Sequence, residues 1–126
     1  MNKPLRVLVV DDNRDAADSL ALLLRLWGHT VEVAYDGESA LHAAMTFKPQ
    51  AVLLDVSMPR MHGGAVARSL RELAEFQAAI IVATTANHAD DPRLDQWRAY
   101  FDSFLAKPYN LATLEELLAT HAASQA

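Results

Sequence analysis

The chain has 126 residues, a net charge of -5, 52% hydrophobic and 21% charged residues, and no cysteine. That length suits one domain burying roughly two-thirds of its unfolded surface, with the composition of an ordinary globular fold. Disulfides are excluded, the acid excess argues against direct nucleic-acid binding, and the apolar runs are too short to span a bilayer.

Read in chain order, apolar runs of strand length alternate with helical periodicity. Met1 to Pro4 carries no apolar leader, so the expected location is cytoplasmic, with no membrane partner. Leu5 to Val10 is an unbroken β-rich run, the pattern of a strand covered on both faces, and it ends at Asp11 and Asp12. Asn13 is placed to cap a helix whose apolar stripe is Ala16, Leu20, Leu23, Leu24 and Trp27, and Gly28 stops it. Val31 to Tyr35 reads as a second strand, Asp36-Gly37 as a turn, and Ser39 to Phe47 as a second helix closed before Pro49. Ala51 to Leu54 is a third strand that breaks at Asp55. A loop from Ser57 to Gly64 precedes a helix from about Ala65 to Ala74 and a fourth strand, Ala79 to Ala83. A fourth helix enters near Pro92, a favoured first-turn residue. Phe104 to Ala106 forms the last strand, and Leu111, Leu114, Leu117 and Leu118 give the stripe of the last helix.

Five β units alternating with five α units predict, through right-handed crossovers, a parallel sheet with helices on both faces. The expectation is one domain over 1–126, with its core from about 5 to 120. Asp11, Asp12, Asp55 and Lys107 then all stand at strand ends, on the edge where open α/β sheets build their sites. Three carboxylates brought together repel, and a hard divalent cation with oxygen ligands removes that cost. Mg²⁺ is the expected occupant, with Mn²⁺ as a substitute. Asp11 or Asp12 alone would read equally well as a helix cap; with Asp55 and Lys107 in register, the set reads as a site.

These elements resemble the receiver domain of two-component response regulators. Asp11-Asp12, the lone Asp55, Met58-Pro59-Arg60-Met61, Thr85-Ala86 and Lys107-Pro108 occur in that family's order, over Leu5 to Leu118. The resemblance implies a doubly wound, flavodoxin-like sheet of order 2-1-3-4-5. It implies that Asp12, Asp55 and the backbone carbonyl of Ser57 hold the metal, with Asp11 acting largely through water. Asp55 would be the phosphorylated nucleophile, and Lys107, the Thr85 hydroxyl and the Ala86 N–H would hold the phosphoryl oxygens. Lys107-Pro108 would be cis. Thr85 and Phe104 would form the switch, although Thr84 is a rival hydroxyl and Phe104 would otherwise be plain core. Ser57 and Asn87 are expected to flank the water that ends the phosphorylated state. The implied phosphodonor is a histidine kinase or histidine phosphotransfer protein meeting the first helix, where Leu22 projects outward. The implied output is a downstream protein at the face of the fourth helix, fifth strand and fifth helix.

The sequence departs from that pattern in places. His62 replaces an acid before Gly63 and is expected to be a solvated surface histidine. Tyr100 replaces a glycine, so the turn before the last strand is expected to be rebuilt. Trp97, Tyr100, Phe101, Phe104 and Tyr109 crowd this corner; core packing is the plain explanation and an exposed contact surface the other. Met1 favours a stand-alone regulator over a receiver excised from a hybrid histidine kinase. A Mg²⁺-dependent aspartyl-phosphate phosphatase is disfavoured, because Ser57 stands where its general acid would be, so no turnover enzyme is expected. A degenerate receiver acting only as a scaffold is disfavoured because no site residue is missing.

Overall fold

The apolar runs pair into a five-stranded parallel sheet of order β2-β1-β3-β4-β5, in a computed structural model that describes residues 4–57, 62–86, 92–108 and 110–124. The strands are β1 Arg6–Val10, β2 Thr30–Ala34, β3 Ala51–Asp55, β4 Ile80–Thr85 and β5 Ser103–Ala106. The α-helices are α1 Arg14–Leu26, α2 Gly37–Phe47, α3 Gly63–Arg71 and α4 Leu111–Ser124. A 3₁₀-helix, Pro92–Tyr100, occupies the fourth helical position, and a shorter one, Ala74–Phe76, follows α3. The predicted fold and strand order stand. Met58 to Met61, Asn87 and Tyr109 lie outside the described residues.

Strand residues alternate between two cores, as a pleat with side chains on both faces requires. Leu8, Val10, Val52, Leu54, Ile81 and Ala83 pack beneath α2, α3 and the Pro92–Tyr100 helix. Val7, Val9, Leu53, Val82 and Leu105 pack against α1 and α4. Every residue of β3 and β4 is buried, so both strands read as continuous apolar runs up to their polar ends.

Local chemistry sets the boundaries. Asn13 caps α1, its side-chain oxygen accepting from the Ala16 N–H at 3.1 Å, and Gly28 leaves the helix at φ 100°, where a Cβ would be strained. Asp36 is a cap rather than part of a turn: it accepts from the Ser39 N–H at 2.7 Å, so α2 starts at Gly37. Likewise α3 starts two residues earlier than the pattern predicted, because His62 caps it.

The fourth helix is the main difference in local structure. Leu94, Trp97 and Tyr100 recur every three residues and all pack on the α3 side of the sheet. A threefold winding stacks such positions on one face, whereas 3.6 residues per turn would fan them apart. No positive φ is needed at Tyr100; among the described residues only Gly28 and Lys48 have one. The chain enters β5 without a left-handed residue at this turn. Phe101 is buried and Trp97, Tyr100 and Phe104 are partly buried against the same core, so packing accounts for most of the aromatic crowding. Among the described residues, no helix is long and apolar enough to cross a membrane.

Candidate functional site

Because β1 and β3 are adjacent and in register, with Val10 beside Leu54, the residues just beyond them meet. Asp11 and Asp55 are buried, Asp12 is exposed, and one carboxylate oxygen from each lies within 4.8 Å of the others. The Lys107 ammonium reaches in from the end of β5, 2.9 Å from Asp11 Oδ2 and 3.6 Å from Asp55 Oδ2. Its backbone N–H donates to the Thr85 carbonyl at 2.7 Å, and the Lys107-Pro108 bond is cis.

The remaining carboxylate oxygens are oriented by backbone. Ser57 N–H donates to Asp55 Oδ1 at 2.8 Å, and Asn13 N–H donates to Asp11 Oδ1 at 3.0 Å. Burial pushes the Asp55 carboxyl above the ordinary carboxylate range; the Ser57 N–H and the Lys107 ammonium oppose that rise, and Asp11 adds to it. A carboxylate held costly to ionise beside two other acids is one that a cation relieves. All-oxygen donors from Asp11, Asp12 and Asp55 suit a hard ion such as Mg²⁺.

The two threonines that compete for the switch role fall on opposite faces. Thr84 follows Val82 onto the α1 side, where it lines a cavity of about 430 Å³ with Asp11, Ala16, Leu20, Leu23 and Lys107. Thr85 follows Ala83 onto the α3 side, and Ala83 pairs with Phe104 across the β4–β5 ladder, so Thr85 and Phe104 share a face. Thr85 is almost fully buried. Phe104 is half-buried: its ring centroid lies 5.3 Å from that of Phe101, and the Arg98 guanidinium stands 5.2 Å from it. Ala86 is exposed just past β4, and Asn87 lies outside the described residues.

His62 is not the solvated histidine expected from sequence. It is half-buried because its ring stacks on Trp97, at 5.5 Å between centroids and 18° between planes, and its Nδ1 accepts from the Gly64 N–H at 2.9 Å. Burial lowers its pKa, partly countered by the charge of Asp55. Nothing in the local pattern singled His62 out as a cap. The Gly63-Gly64 doublet was the available signal, since two glycines in a helical first turn point to close approach by something else.

A family model described as the response regulator receiver domain matches residues 7–119. This chain belongs to that family. The receiver is 40% identical over 116 residues to the response regulator MprA of Mycolicibacterium vanbaalenii, covering 92% of this chain and 48% of that protein. It thus spans about half the length of the curated relatives it matches. Among solved structures it resembles the receiver domain of a sensor histidine kinase from Pseudomonas aeruginosa, with magnesium coordinated in the active-site cleft. That match has 27% identity and a TM-score of 0.85, covering 96% of this chain and 99% of that one. It also resembles the response regulator TrrA of Thermotoga maritima in complex with Mg²⁺ and BeF, with 29% identity and a TM-score of 0.81, covering 92% of this chain and 97% of that one.

Proposed function

We propose that this receiver accepts a phosphoryl group on Asp55 from a phosphohistidine and uses it to change the surface formed by the Pro92–Tyr100 helix, β5 and α4. The observation that carries this reading is the Lys107 ammonium poised between Asp11 and Asp55 in a cluster of three acids. An ammonium and three carboxylates leave net negative charge, which fits a site built for a cation and a transferred anionic group together.

In the transfer, a carboxylate oxygen of Asp55 forms the new bond to phosphorus as the phosphorus–nitrogen bond to the donor histidine breaks, leaving an acyl phosphate. Ser57 N–H fixes Asp55 Oδ1, so the carboxylate is oriented before the phosphoryl group arrives. Lys107 moves its charge from Asp11 toward the incoming oxygens, and the Thr85 hydroxyl and Ala86 N–H complete the cradle. Asp12, Asp55 and the Ser57 carbonyl would hold Mg²⁺ or Mn²⁺, with Asp11 acting through water, and such an ion would supply neutralisation of the charge gathered around phosphorus. Ser57 would flank the path of the water that ends the phosphorylated state, and Asn87 is assigned there from its place in the sequence alone. Neither is a base, which supports a domain that turns over only its own phosphate rather than a phosphatase.

The phosphodonor, a histidine kinase or histidine phosphotransfer protein, docks on α1 over the cavity lined by Ala16, Ser19, Leu20, Leu23 and Leu111, whose far end reaches Asp11 and Lys107. Exposed Leu22 and Leu26 extend that apolar strip outward. A downstream protein reads the surface of the Pro92–Tyr100 helix, β5 and α4, with no direct contact to nucleic acid, and both events belong to the cytoplasm. The test is incorporation of phosphate from acetyl phosphate with Mg²⁺. The parent should gain a hydroxylamine-sensitive label and Asp55→Asn none; equal labelling of both moves the acceptor elsewhere.

A further inference from the structure

We infer that His62 and Trp97 form a second mechanical link between the phosphoacceptor strand and the Pro92–Tyr100 helix, separate from the Thr85–Phe104 pair. The inference rests on the proposed role of Asp55 and adds a route by which its state reaches the surface.

The link is built from consecutive residues at the start of α3. A Cβ on Gly63 would run into the carbonyl oxygen of Asp55 and the Cα of Val56, so this turn sits directly on the backbone of the acceptor residue. A Cβ on Gly64 would run into the Trp97 indole, so the next residue sits directly on the 3₁₀-helix. No side chain cushions either contact. His62 fastens the arrangement twice, capping α3 through Nδ1 and stacking its ring on the same indole. Arg68 places its guanidinium 5.6 Å from that indole, and Tyr100 flanks it at 6.5 Å between centroids. Trp97 is therefore clamped by His62, Gly64 and Arg68, all on α3 or its cap.

Close-packed contacts of this kind transmit displacement because there is no void to absorb it. Charge added to Asp55 acts on the backbone around it, where Ser57 N–H and the Gly63 contact converge. Any shift of the first turn of α3 must then carry the indole with it or break the stack. Thr85 and Phe104 lie further along, on β4 and β5, and need not move for this to happen.

The experiment uses the full chain with Trp27→Phe, so that Trp97 is the sole tryptophan, and beryllofluoride with Mg²⁺ as a mimic of the phosphoryl group. ¹⁹F NMR reads binding, while amide shifts of Leu94 to Tyr100 and Trp97 fluorescence read the response. His62→Asn keeps a side-chain acceptor at the cap but removes the ring; His62→Phe restores a ring without the acceptor. His62→Asn should bind the mimic within about twofold of the parent, yet lose at least half of the shift changes at Leu94 to Tyr100. His62→Phe should recover most of them, and Phe104→Leu, which leaves the phosphoryl cradle intact, should keep them. Parent-sized changes at Leu94 to Tyr100 in His62→Asn would overturn the link. Failure of the parent to bind the mimic would instead overturn the role of Asp55, and the link with it.

Discussion

Asp55 is held between burial, which opposes its charge, and the Ser57 N–H and Lys107, which favour it; burial wins, and its carboxyl titrates above the ordinary range. A carboxyl with a raised folded pKa stabilises fully below its unfolded value, 3.8, and loses that contribution as pH rises through the folded value. At neutral pH without metal, ionised Asp55 is therefore a strain on the fold, increased by its neighbour Asp11. Asp55→Asn should raise metal-free stability by about 1–3 kcal/mol at pH 7.5. The gain should shrink toward pH 4, as the parent carboxyl takes up its proton at a pH above the ordinary carboxylate range. Urea unfolding of both proteins in EDTA at the two pH values measures the difference. A mutant that unfolds more easily at pH 7.5 would mean that the carboxylate is repaid in full by its hydrogen bonds.

At the scale of elements, the segment from α3 to β5 is held by Arg71, which sequence reasoning did not single out. Its guanidinium donates to the carbonyls of Phe76 at 3.0 Å, Ala79 at 2.9 Å and Tyr100 at 3.1 Å, and pairs with Asp102 at 2.7 Å. Asp102 Oδ2 in turn accepts from the Ile81 N–H at 2.7 Å, satisfying the start of β4 where β5 has not yet begun. One planar fork thus ties the end of α3, both 3₁₀-helices and the sheet edge together. No spacing rule brings position 71 to position 102, and no periodicity distinguishes an arginine facing carbonyls from one facing water. The same limit hid the His62 stack, and the 3₁₀ winding was legible only as Leu94, Trp97 and Tyr100 at intervals of three. Arg71→Ala should cost about 2–3 kcal/mol through unsatisfied carbonyls. Arg71→Lys should recover little of it, because a lysine cannot reproduce the fork. Near-parent stability of the lysine variant would show that the charge on Asp102, half-exposed as it is, matters more than the geometry.

For the whole molecule, the site was readable because topology does most of the assembly. Unbroken apolar runs marked β1 and β3, the strand order implied by the receiver resemblance set their ends side by side, and the first polar residue past each run then had to lie on the same edge. With that order given, Asp11, Asp12, Asp55 and Lys107 come together without further information. Which of Thr84 and Thr85 faces Phe104 did need the sheet register. A metal ion held by this cluster would compete with Lys107, since the ammonium already pairs with Asp11 Oδ2 and lies close to Asp55 Oδ2. Removing it leaves two buried carboxylates without their nearest positive charge. Lys107→Ala should therefore unfold more easily in EDTA yet bind Mg²⁺ severalfold more tightly, as the cation no longer displaces an ammonium. Asp12→Ala should do the reverse, keeping its metal-free stability because Asp12 is exposed while losing Mg²⁺ affinity with a ligand. At a hundredfold excess over its dissociation constant, Mg²⁺ should add about 2.7 kcal/mol to the folded parent. At the same Mg²⁺ concentration it should add more to Lys107→Ala and little to Asp12→Ala. Thermal unfolding across a Mg²⁺ titration measures all three, and weaker Mg²⁺ binding by Lys107→Ala would mean that the lysine organises the carboxylates rather than competing for them.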